Sequence, residues 1–348
     1  MDITQYEPIA GCYTLGYIQQ HRPDIHLIHE VAWKSYEDYA WLDTEIRQAL
    51  AENKIVACVP WDEDIVANSP EPLAKVLNQF VNDPVYWVTQ FDTEMQKLYT
   101  FQYGIKCKML ELPWYLLNEC LSYLYVEEHD IAQTIGSVNY ICLLGRYEPH
   151  KFAVAEELNR QGLSKYGYIS VAYPEQYPEN DFCHTNPFPP YNADTLGAIP
   201  HGIIQHNNIL ISKNVQNFLR LKIQYANVPL VVNVETTCGI IHSTEKSIWP
   251  LLLGKLFLLF GRPGAVKFIQ RFYDVDIAGY ANVEYDLSTG WTPQDHQNRI
   301  ERMVRDNREL ITNAQEQFIQ LQPSLEQAKF TFTQRMNNYF ISQLALIK

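Results

Sequence analysis

Apolar and polar residues recur along this chain with two periods, and each change of period marks an element. "DIHLIHEVAW" (24–33) is a short apolar run and predicts a strand. "SYEDYAWLDTEIRQALAENK" (35–54) carries apolar residues at helical spacing and ends in polar ones. "IVACVPWDED" (55–64) predicts a buried strand that runs into a polar loop. "EPLAKVLNQFVND" (71–83) is helical again, and "VYWVTQF" (85–91) is strand-like. Such βαβα alternation predicts a parallel sheet with helices on its faces.

A second alternation begins near residue 138. "VNYICLLGR" (138–146) predicts a strand, and "EPHKFAVAEELNRQGL" (148–163) an amphipathic helix closed by Gly162. "YGYISVAY" (166–173) and "PLVVNVET" (229–236) predict further strands. Between them, residues 174–200 are rich in Pro, Asn, Asp and Tyr and predict a long loop, either functional or a surface excursion. After the "TEK" element (244–246), "KLFLLFG" (255–261) reads as a strand into a tight turn, and "VKFIQRF" (266–272) follows. From Pro293 a charged, glutamine-rich tail keeps helical periodicity to the end. The pattern therefore divides into residues 1–130, 138–292 and 293–348: two α/β domains, then C-terminal helices that pack back on the first domain.

Composition narrows the partners. The chain has 348 residues and a net charge of −13, which disfavours a general polyanion-binding surface but leaves room for one local basic groove. The seven cysteines are scattered, odd in number and without a CxxC pair, so a reduced, cytoplasmic compartment is expected and zinc spacing is lacking. The N-terminus has no signal-peptide pattern, and the apolar runs are too short for a membrane span.

Candidate chemistry falls at predicted strand ends, where doubly wound sheets bind ligands. In "GRYEPHK", Arg146 follows a strand, and His150 and Lys151 open a helix whose free N–H groups suit an anion. The alternative is a basic surface turn. In "VNVETTCG", Glu235 and Thr236 offer a carboxylate and a hydroxyl to a ribose, or else cap a turn. In "STEKSIWP", Pro250 suits only the first turn of a helix, which predicts a start near Ser247 with Lys246 at its mouth. A lysine at the positive end of a helix is unfavourable, and an anion between them relieves the conflict.

The order "NYICLLGRYEPHKFAVAEELNRQGL…YGYIS", then "VVNVETT…STEKSIWPLLLGKLFLLFGRPGAVKFIQ", resembles nucleotide-sugar glycosyltransferases of the GT-B type. It is most similar to phage, viral and bacterial sequences with a fucosyltransferase-like C-terminal domain. The similarity covers roughly residues 138–275 and departs from the pattern at Leu256, where proline is usual, and at Trp249. It implies two Rossmann-like domains facing a cleft, closed by the C-terminal helices. It also implies a nucleoside-diphosphate sugar donor, with no metal or other cofactor required. Arg146 and Lys246 would hold the diphosphate, with His150, Lys151 and Thr244 beside them. Glu235 or Glu245 would meet ribose or sugar hydroxyls, with Thr236 next in sequence. The first domain would supply the general base from Asp62, Glu63, Asp64 or Asp92. The acceptor is open among a glycan, a protein and a phage DNA base.

Two other readings compete. Asp62 with Asp64, and Asp274 with Asp276, form Asp-x-Asp pairs that suit a metal-dependent transferase. The 23 tyrosines and the long tail suit a non-catalytic binding protein on a transferase fold.

Overall fold

A computed structural model describes residues 13–29, 39–59, 71–89, 100, 104–112, 138–144, 149–171, 228–235, 245–288, 290 and 292–348. The chain is α/β and divides into two compact units. One comprises Met1–Tyr125, Ser212–Asn214 and Thr333–Lys348; the other comprises Val126–Ile211 and Val215–Phe332.

The first unit holds β1 (Ile25–His29), β2 (Ile55–Val59), β3 (Val85–Thr89) and β4 (Lys108–Glu111), all parallel, in the order β1-β2-β3-β4. Register is fixed by pairs such as Ile25 with Ile55, Val56 with Val85 and Tyr86 with Lys108. Its helices are α1 (Tyr13–His21), α2 (Ala40–Ala51) and α3 (Glu71–Leu77). Every residue of β3 is buried, as expected where helices cover both faces of a parallel sheet. Leu42, Ile46, Leu73 and Leu77 pack from α2 and α3, and each such burial stabilises by about 1.5–3 kcal/mol. The chain end is tied into this unit: Arg22 donates to the carbonyls of Leu344 (3.0 Å) and Ile347 (3.1 Å), and the Tyr86 hydroxyl donates to that of Lys348 (3.0 Å).

The second unit holds β5 (Tyr140–Leu144), β6 (Gly167–Val171), β7 (Leu230–Val234) and β8 (Leu256–Phe260), again all parallel, in the order β6-β5-β7-β8. Gly167 is required where it stands: a Cβ there would lie 2.5 Å from the backbone oxygen of Tyr140. Helix α4 (Pro149–Arg160) starts on proline, whose fixed φ suits a first turn. It ends at Gly162 (φ +68°), whose N–H donates to Asn159 while Leu163 N–H donates to Leu158, a Schellman stop. Helices α5 (Glu245–Leu252) and α6 (Ala265–Tyr273) flank β8, and α7 (Pro293–Asp306) packs along α4. Thr292 caps α7 in a reciprocal capping box with Asp295. Helices α8 (Arg308–Thr312) and α9 (Ala314–Leu344) complete the chain.

Three points differ from the sequence pattern. Helix α1 and strand β4 have weak patterns; "KMLE" is a short, charged strand at the edge of its sheet. "VKFIQRF", to which the pattern assigns no element, lies in α6, with Val266 and Ile269 buried one turn apart on the same face. Helix α5 begins at Glu245 rather than near Ser247, and Pro250 lies inside it. Proline removes one i→i−4 bond, but Ile248, Leu251 and Leu252 are buried, and that packing outweighs the local preference. The stretch 174–200 lies outside the described residues.

Candidate functional site

In the second sheet, connections leave β5 and β7 in opposite directions, toward β6 and β8. Right-handed crossovers then place α4 and α5 on opposite faces. The carboxyl ends of β5 and β7 therefore form a switch point, where open α/β sheets present a crevice.

Side chains from three segments meet there. His150, in the first turn of α4, is buried, and its Nε2–H donates to the Glu235 carbonyl at 2.7 Å. Glu235 follows β7, and its own N–H donates to the Phe260 carbonyl at the end of β8 (2.8 Å). The Glu235 carboxylate is buried and accepts from the Ser247 hydroxyl in α5. One residue, Glu235, thus joins the ends of two strands and the starts of two helices.

A second layer comes from α7. Arg299 is buried and donates to the carbonyls of Gly261 (2.9 Å) and Tyr285 (3.1 Å). Its guanidinium lies 4.7 Å from the Phe260 ring centre and 3.7 Å from the Asp286 carboxylate. Asp286 in turn accepts from the N–H groups of Val266 (3.0 Å) and Lys267 (3.2 Å), which fixes the first turn of α6. Tyr285 donates to the Leu259 carbonyl (2.9 Å), so the end of β8 is held from the side as well.

The electrostatics follow from burial. Desolvation pushes His150 down to about 3, with Lys151 and His296 adding to the shift and the Glu235 carbonyl opposing it. The ring is therefore neutral at ordinary pH. Burial and the Arg299 charge also lower His296, while Asp295 opposes them. Burial raises Asp286, against the N–H groups and the arginine that face it. Cys142, buried in β5, is pushed up to about 12, with Lys151 opposing.

The structure thus brings His150, Lys151 and Glu235 to one edge of one sheet. His150 and Lys151 are buried, so they do not form an exposed basic turn. Glu245 and Lys246 occupy the first turn of α5. Arg146, Thr236 and Thr244 lie outside the described residues, as do Asp62, Glu63, Asp64 and Asp92. The Asp274–Asp276 pair follows α6 and does not lie at a strand end. Asp274 caps that helix at φ +57°, and Asp276 accepts from Gly279 N–H at 2.8 Å. Among the described residues, no three His, Cys, Asp or Glu side chains are grouped to hold a metal, and no helix is long and apolar enough to cross a membrane.

Ser247, Phe260, Asp286, His296 and Arg299 are additions to the residues read from sequence. For Arg299 a signal exists: it lies on the face of α7 that also carries Ile300, Met303 and Val304, all buried. A charged residue on an apolar helix face needs a buried partner. No protein-family model matches this chain, and neither a curated protein nor a solved structure matches it significantly.

Proposed function

We propose that the protein is a glycosyltransferase that moves a sugar from a nucleoside-diphosphate donor to an acceptor hydroxyl, with the two α/β units in a GT-B arrangement. The observation that carries this reading is the convergence of His150, Lys151 and Glu235 at the switch point of the second sheet. The TEK element opens α5 beside them, through the contact of Ser247 with Glu235.

Breaking the donor bond builds negative charge on the leaving diphosphate. Fixed cations and helix N–H groups stabilise it without a metal. Lys246 and Arg146 take that part, aided by Thr244 and the first turns of α4 and α5. Lys151 adds positive charge behind the α4 turn. Glu245 receives sugar or ribose hydroxyls, with Thr236 beside it. Glu235 holds the edge together through His150 and Ser247, which makes it a positioning residue first. The acceptor hydroxyl is deprotonated by a carboxylate of the first unit, Asp62, Asp64 or Asp92. A glycan, a protein or a phage DNA base would serve as acceptor, within a reduced, cytoplasmic setting.

The test is release of free nucleotide from a panel of UDP-, GDP-, CMP- and dTDP-sugars, with Lys246→Ala alongside. Slow hydrolysis of one donor, abolished in the variant and retained in excess chelator, is the expected result. Release or binding of no donor would sink the proposal. Activity lost in chelator would move it to the metal-dependent class.

A further inference from the structure

The two parts of α9 belong to different units, and the boundary falls between Phe332 and Thr333. In the second unit, Phe332 is buried and meets the Tyr273 ring edge-on, with ring centres 4.7 Å apart. The Lys255 ammonium lies 5.0 Å from the Phe318 ring centre, so the first part of α9 is held there at two points. Thr331 and Thr333 flank Phe332, and threonine is a weak helix former. Local propensity thus adds little to hold the helix across the boundary.

Beyond it, the chain is fastened to the first unit in two ways. Met336, Phe340, Leu344 and Ile347 recur every three or four residues and are all buried. The Phe340 ring meets that of Tyr17 in α1 at 6.1 Å. The second fastening is polar and sits at the far end, where a helix leaves carbonyls without partners. Arg22 donates there to Leu344 and Ile347, and Asp24 orients its guanidinium at 2.7 Å and 3.0 Å. The Tyr86 hydroxyl donates to the Lys348 carbonyl (3.0 Å) and accepts from its N–H (3.4 Å). None of these residues of the chain end enters the β1-β2-β3-β4 ladders, so they can leave without breaking a ladder bond.

We propose that residues 333–348 form a strap that leaves the first unit as one piece and is held shut by Arg22, while residues 314–332 keep their place in the second unit. The strap is a local opening built into the fold, and it does not depend on the donor-site reading above.

Hydrogen exchange of the full chain, read by mass spectrometry, tests this. In the parent, amides of residues 337–347 should open with a weaker urea dependence than those of β2 and β3, because a local opening exposes less surface. Coinciding urea dependences would overturn the proposal, since the strap would then open only with the whole unit. In Arg22→Ala, which lacks both bonds to the end carbonyls, amides of 337–347 should exchange about tenfold faster. Those of β2, β3 and residues 318–332 should stay within about twofold of the parent. Arg47→Ala is the control: Arg47 forms an exposed pair with Asp43 in the same unit, and its loss should leave the strap at the parental rate. The proposal is overturned if Arg22→Ala leaves 337–347 at the parental rate, or if residues 318–332 or the strands accelerate by the same factor. Equal acceleration of the strap in Arg47→Ala overturns it as well. Should Arg22→Ala not fold, the urea dependence of the parent decides alone.

Discussion

The two sheets are built alike and used differently. Each has four parallel strands, but the first runs β1-β2-β3-β4 in one direction, while the second reverses between β5 and β7. Among the described residues, the buried polar side chains of the first unit are the hydroxyls of Thr14 and Thr89. The second unit buries His150, Lys151, Glu157, Glu235, Asp286 and Arg299, all ionisable. Removing a charge from water costs several kcal/mol unless it is paired and hydrogen-bonded. Four of these six meet around the ends of β5, β7 and β8, and Asp286 sits behind Arg299. Among the described residues the second unit thus buries more charge than the first, and that difference is open to attack at measurable points.

Arg299 should give the largest effect. Its removal in Arg299→Ala leaves the carbonyls of Gly261 and Tyr285 and the Asp286 carboxylate buried without their cation. Breaking a buried pair from one side costs about 3–5 kcal/mol, so urea unfolding of this variant should show a loss of that size. A loss below about 1 kcal/mol, the range of an exposed ion pair, would mean that the cluster is wetter and less constrained than its burial implies.

His150 gives the next effect, visible as a pH slope. Its ordinary value is 6.5, and burial brings it to about 3 in the folded chain. Between those values the unfolded chain takes up a proton that the folded ring refuses. Stability from this residue is therefore whole above about pH 6.5 and falls as pH drops toward 3. The slope approaches about 1.4 kcal/mol per pH unit. In His150→Gln this component vanishes, so parent and variant should converge as urea titrations move from neutral pH into acid. Parallel stability curves would show that the ring is protonated in the folded protein.

Much of this arrangement is legible in the sequence, for reasons that differ by element. "LFLLF" is a continuous apolar run and "LVVNV" is broken only by Asn233, so β7 and β8 stand out. "KMLE" carries charge at both ends and takes its strand form from pairing with β3, which local pattern does not encode. Pro250 speaks against a helix start at Glu245, and only the buried partners of Ile248 and Leu252 reverse that preference. Glu235 is found because it directly follows a strand, and His150 and Lys151 because they open the helix after one, where the chain order itself points to a ligand edge. Arg299 and Ser247 reach the same place from helices distant in sequence, and their contacts exist only once the sheet has formed.

The comparison sharpens further at two hydroxyls that look equivalent by burial alone. Ser247 and Thr89 are both fully buried. Ser247 donates to a buried carboxylate, so Ser247→Ala strands a charged acceptor and should cost about 1–3 kcal/mol. Thr89 donates to the Leu110 carbonyl over 3.4 Å, a long bond to a neutral group. Valine has nearly the same shape, but it leaves that carbonyl one donor short. Thr89→Val should therefore cost under about 1 kcal/mol, at the low end for a neutral hydrogen bond. The ratio of the two losses, measured by urea unfolding under one condition, reads the difference between the sheets directly. Equal losses would mean that the Ser247–Glu235 bond is worth no more than the long bond from Thr89 to a neutral carbonyl, and the contrast between the sheets would fail at this point.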